Sequence, residues 1–166
     1  RETWREAGIK LFSKPSQREA FRTRIFSGET LMSVWSGLDN GLPTPETSPE
    51  ELAPTNQIHL QWPKFGQYWE TSGKSGVAPD MPEVKELVDL YRAWRAAATS
   101  EERARIWQRM LAIHAEQQFT IGVVTAVPQP VVARETLVNV PKEGYYNWDP
   151  GAFFGIYRPE TFFYSK

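Results

Sequence analysis

Apolar positions along the chain follow two different periods. Residues 9–13, IKLFS, alternate in a β-rich composition, and residues 30–35 continue as TLMSVW, so each predicts a short strand. Between them Pro15 and Ser16 open a helix whose apolar positions are Ala20, Phe21 and Ile25, and Gly28 closes it. A helix joining two strands predicts a right-handed parallel βαβ unit. That geometry puts Trp35 at the sheet edge that also carries Phe12 and Ser13, where open α/β sheets bind ligands.

Farther along, the period becomes helical. Val84, Leu87, Val88, Tyr91 and Trp94 keep i, i+3, i+4, i+7 spacing. After a break at Ala98 and Thr99, the run TSEE lets Thr99 cap and Glu102 return the bond. The second helix then presents Ile106, Trp107, Met110, Leu111 and His114, which makes the pair a helical hairpin. FTIGVV, residues 119–124, is a continuous apolar run of strand length, and PVVAR, residues 130–134, predicts an edge strand.

Residues 38–82 are rich in Pro, Gly, Thr and Ser, with helical signals at SPEE and PKFGQYWE. So long a connection in a compact domain is unusual and tends to be functional. Because it holds Trp62, Tyr68 and Trp69, it is expected to be packed or to act as a lid. The closing stretch GYYNWDPGAFFGIYRPETFFY is aromatic and broken by Gly and Pro, as expected of a tail lying on another part of a protein. The opening RETWREAGIK reads as the end of a helix stopped by Gly8, so the chain is expected to be a piece of a longer protein.

Composition narrows the chemistry. The chain has 166 residues, 19 Lys and Arg against 20 Asp and Glu, and its charges alternate without a basic block, which gives no electrostatic footprint for nucleic acid or anionic lipid. No cysteine is present, which excludes disulfides, thiolate metal sites and a cysteine nucleophile. No apolar run reaches the roughly 18 to 20 residues that span a bilayer. The GKS at residues 73–75 lacks the preceding Gly and strand of a phosphate loop and reads as a turn. His59 and His114 have no metal-ligand spacing, and His114 reads as a packed, hydrogen-bonded core residue. No cofactor or metal is expected.

Helix-start positions account for the acidic pairs Glu50, Glu51 and Glu101, Glu102. Asp39 has no such reason. It belongs to MSVWSGLDNG, residues 32–41, which is either a simple turn or a pocket edge. As a pocket, Trp35 supplies a flat apolar face, Gly37 lets a ligand approach the backbone, and Asp39 with Asn40 supplies polar anchors. Trp62 and Trp69 are further candidates as lid residues. Nothing in that set breaks a bond.

The order of elements resembles the C-terminal part of the family 5 extracellular solute-binding proteins, the dipeptide and oligopeptide receptors of bacterial ABC importers. The similarity lies in GIKLFSKPSQREAFRTRIFSGE, VWSGLDN, ERARIWQRMLAIHAEQQFTIGVV, PVVARETLVNVP and YYNWDP. It implies an α/β fold, a partial C-terminal lobe of the type II periplasmic binding protein kind, with a mixed sheet flanked by helices. Residues 1–140 would be lobe, and residues 141–166 a segment returning to a first lobe. The implied role is non-enzymatic: binding a peptide or other small solute between lobes in the periplasm and delivering it to an ABC permease. Peptide-binding relatives carry Trp, two residues, then Asp; here Ser36, Gly37 and Leu38 intervene, so Asp39 comes one residue later, and sugars and opine-like solutes stay open. A tail without its first lobe implies exposed apolar surface and a tendency of the chain to dimerise. Two other classes compete: a Trp-rich protein interaction domain, and a glycoside hydrolase using Asp39 with a second carboxylate.

Overall fold

The computed structural model describes residues 2–35, 43–124, 128, 130–144 and 157–165. Five α-helices are the main regular elements among the described residues: α1 (Glu2–Glu6), α2 (Arg18–Ser27), α3 (Pro63–Glu70), α4 (Pro82–Ala96) and α5 (Ser100–Gln117). Two short strands, β1 (Leu137–Val138) and β2 (Phe163–Tyr164), pair antiparallel with Leu137 opposite Tyr164. No helix among the described residues is long and apolar enough to cross a membrane.

The core belongs to the α4–α5 hairpin. Its turn is short because Thr99 ends one register and begins the next: its hydroxyl accepts from Glu102 N at 3.2 Å. Glu102 reaches back to the amide of Ala98 at 3.1 Å, so donors on both sides of the helix start are satisfied, as TSEE predicts. Leu87, Met110 and Ile113 are fully buried, with Leu52, Ala53 and Trp107 completing the cluster. A bidentate pair from Arg109 to Glu86, at 2.7 and 2.8 Å, ties the two helices together on their outer face. The apolar stripe of α5 is rotated from its expected centre: Ile113 is buried, while Leu111 is 47% exposed. Leu111 falls outside the arc that α4 and the preceding loop cover.

That loop is packed, as its aromatic content predicts. Residues 45–60 wrap the hairpin, and indole N–H groups pin it: Trp94 Nε1 donates to Pro45 O at 2.7 Å and Trp107 Nε1 to Thr47 O at 3.1 Å. Arg103 pairs with Glu46 beside them. At SPEE no capping box forms. Pro49 precedes a single 3-10 turn, Glu50–Leu52, without a side-chain cap, and Thr55 Oγ1, buried with it, donates to Glu50 O at 3.0 Å. Helix α3 then lies close enough to the loop that Gly66 meets the backbone of Asn56 and Gln57, a place where no Cβ fits. The GKS residues follow helix α3 instead of a strand, in a turn where Ser75 N donates to Thr71 Oγ1 at 2.9 Å.

The strand expectations have a different outcome. Helix α2 forms and ends on Gly28 in the left-handed region at φ 83°, and Ile25 is buried, but Ala20 is exposed. Residues 9–13, 30–35, 119–124 and 130–134 carry no strand ladder, so the expected parallel βαβ pairing is not formed, and the antiparallel pair β1–β2 is the one ladder among the described residues. Phe119 packs on the core, but most of their other apolar side chains face solvent: Phe12 is 78% exposed, Leu31 fully, and Val132 96%. An alternating sequence makes a strand only where a neighbouring strand accepts its backbone hydrogen bonds. The β1–β2 ladder, extended by Ser165 N to Thr136 O at 2.8 Å, links the two sides of the expected boundary at residue 140.

Candidate functional site

Trp35 follows a segment without regular structure and lies against α2. Its indole stacks on Phe21, with ring centroids 5.3 Å apart and planes 18° from parallel. The guanidinium of Arg18, in the first turn of α2, stands 5.9 Å from the Trp35 ring. Ser16, Arg18, Phe21, Val34 and Trp35 line a recess of about 480 Å³ that opens to solvent. The end of the 30–35 segment therefore meets the start of α2.

The other expected site residues divide. Gly37, Asp39 and Asn40 lie outside the described residues. Trp62 belongs to a three-ring cluster, 5.9 Å from His114 and 5.1 Å from Phe119, which closes the end of the hairpin. His114 Nε2 donates to the Leu52 carbonyl at 2.8 Å, so this histidine has the packed, hydrogen-bonded role its helix position predicts. Trp69 meets Tyr91 edge to face at 6.0 Å, with the Arg92 guanidinium 4.7 Å over its ring. Trp62 and Trp69 thus pack on α5 and α4, whereas Trp35 packs on α2; the structure gives the first two a place in the helical unit and shows no contact between them and Trp35.

Sequence reasoning missed Ser16, Arg18 and Phe21 as site residues. The available signal is positional: a chain that turns back after α2 toward the start of that helix brings its first turn beside the Trp35 ring. Electrostatics elsewhere are structural. Hydrogen bonds from Ser100 and then Arg103 hold Glu46 below the ordinary carboxylate range, and the Arg109 bonds do the same to Glu86. Among the described residues no group of three His, Asp or Glu side chains could hold a metal ion. Comparison of the chain with protein-family models, curated proteins and solved structures finds no match.

Proposed function

We propose that this chain is most of the C-terminal lobe of a periplasmic solute-binding protein of the family 5 kind, a non-catalytic receptor that hands a small solute to an ABC permease. The observation that carries the reading is the Trp35 recess: an apolar stack beside a cation, open to solvent. The exposed apolar segments support it. Residues 9–13, 30–35, 119–124 and 130–134 have strand composition and no ladder, and a sheet completed by further chain would give each a partner. The same surface offers the isolated chain a route to self-association. Engagement of Trp62 and Trp69 in the helical unit leaves fewer free aromatic anchors for a Trp-rich interaction domain.

Thermal unfolding of the protein in its longest form, against peptides, sugars and opine-like acids, tests the proposal. One solute should raise the transition temperature and be recovered chemically unchanged; a ligand at 100 times its Kd adds about 2.7 kcal/mol. Conversion of the solute to product would favour the hydrolase instead. Trp35→Ala and Asp39→Ala should each weaken binding, and unchanged affinity in both would remove the site from this position.

A further inference from the structure

The recess at Trp35 has a charge as well as a shape. Arg18 is permanently cationic, and the one contact found for its guanidinium among the described residues is the face of Trp35. At 5.9 Å from the ring centroid the guanidinium stands at the outer edge of cation–π contact, which leaves its N–H groups free to meet a ligand. Ser16 adds a hydroxyl at the same rim. The described segment 2–29 has a small excess of the same sign, six Lys and Arg against four Glu, within a chain whose overall formal charge is −1. The near balance of the whole chain conceals this local excess.

We infer that the recess lined by Ser16, Arg18, Phe21 and Trp35 takes the carboxylate end of a solute that also carries a flat or apolar group. The apolar group lies along the Trp35 and Phe21 edges, and the carboxylate accepts the paired N–H groups of Arg18, a geometry suited to a planar fork. The Ser16 hydroxyl donates to the same group. This assignment deepens the receptor proposal and rests on it: it names the class of solute and the end of it that this lobe holds. A neutral sugar leaves the guanidinium without a charged partner.

The test uses the 166-residue chain and three probes: N-benzoylglycine, its neutral amide of the same size, and the larger neutral sugar maltose. Arg18 Nε–H and Trp35 indole N–H cross-peaks are followed by two-dimensional NMR during each titration. N-benzoylglycine should move both peaks saturably and bind roughly tenfold more tightly than the amide, the ratio one charge-assisted contact supplies. Arg18→Gln should abolish that ratio, while Arg22→Gln, on the same helix but over Phe26, should preserve it. If the amide or maltose moves the Trp35 peak as strongly, with Arg18→Gln indifferent, the carboxylate assignment falls and the receptor role stands. If no probe moves Trp35 at concentrations up to about 10 mM, the recess is not a ligand site. The receptor role itself is then judged by the thermal unfolding of the longer protein, which does not depend on this recess.

Discussion

The helical unit of residues 43–119 and the segment of residues 2–35 use apolar side chains to opposite effect. In the first, Leu52, Val84, Leu87, Trp107, Met110 and Ile113 all lie inside; in the second, Ile25 alone is buried while Phe12, Leu31, Met32 and Val34 face solvent. Both contain apolar residues at regular spacing. The difference is where the partner comes from. A helix satisfies its own backbone and needs only a face to cover, which the neighbouring helix and the wrapping loop provide close by in sequence. A strand needs another strand for its amides, and none of the described segments pairs with residues 9–13 or 30–35.

Truncation should separate the two regions most sharply. Met110→Ala, at a fully buried position, is expected to cost about 2 to 5 kcal/mol in urea unfolding of the chain, whereas Leu31→Ala should stay within roughly 0.5 kcal/mol. Equal losses at the two positions would mean that segment 30–35 is packed in solution.

Backbone crowding offers a second contrast. Gly66→Ala forces a methyl into the Asn56 carbonyl and should cost on the order of 1 to 3 kcal/mol, while Gly122→Ala, with open space around it, should be close to neutral. A tolerated Gly66→Ala would show that the loop can move away from α3 and is not clamped by the hairpin.

Loss of the cap is a smaller effect. Thr99→Ala removes the acceptor for Glu102 N and should lower stability by about 1 kcal/mol, read as a shift of the urea midpoint with the slope unchanged. A changed slope would indicate that the α4–α5 turn organises more of the chain than its own helix start.

The smallest expected effect is on the acid side. Glu46 and Glu86 are held below the ordinary carboxylate value of 4.5, so their folded forms bind a proton less readily than their unfolded forms. Their contribution is therefore present above that value and is lost as pH falls through the lower folded one. Both side chains are exposed, and solvent screening keeps the term small. Glu86→Gln should flatten the fall in helical-unit stability below pH 4.5 without altering it at pH 7 beyond the loss of the Arg109 pair. An unaltered acid limb would place the Arg109 bond outside the folded-state balance.

Much of the helical unit was legible because its signals are local. TSEE marks the α5 start, PKFGQYWE marks α3, Gly28 marks the end of α2, and the spacing from Val84 to Val88 marks the buried stripe of α4. The candidate site was legible only in part. Trp35 stands out as a ring at the end of an apolar run, but Arg18 and Phe21 are ordinary helix residues until the fold brings α2 under that ring.

By itself, the sequence determined that α2, α3, α4 and α5 are helices, that α2 stops at Gly28 and α4 before Thr99, and that the loop before the hairpin carries too many large rings to be mere solvated linker. These are consequences of dihedral preference, capping and spacing, which act over a few residues. Tertiary structure alone decided that Ile113 rather than Leu111 turns inward, that Trp62 and Trp69 are packing residues in the helical unit, and that Trp35 shares a recess with Arg18. Each of those depends on which surface arrives opposite a side chain, and that partner is set by contacts between residues distant along the chain.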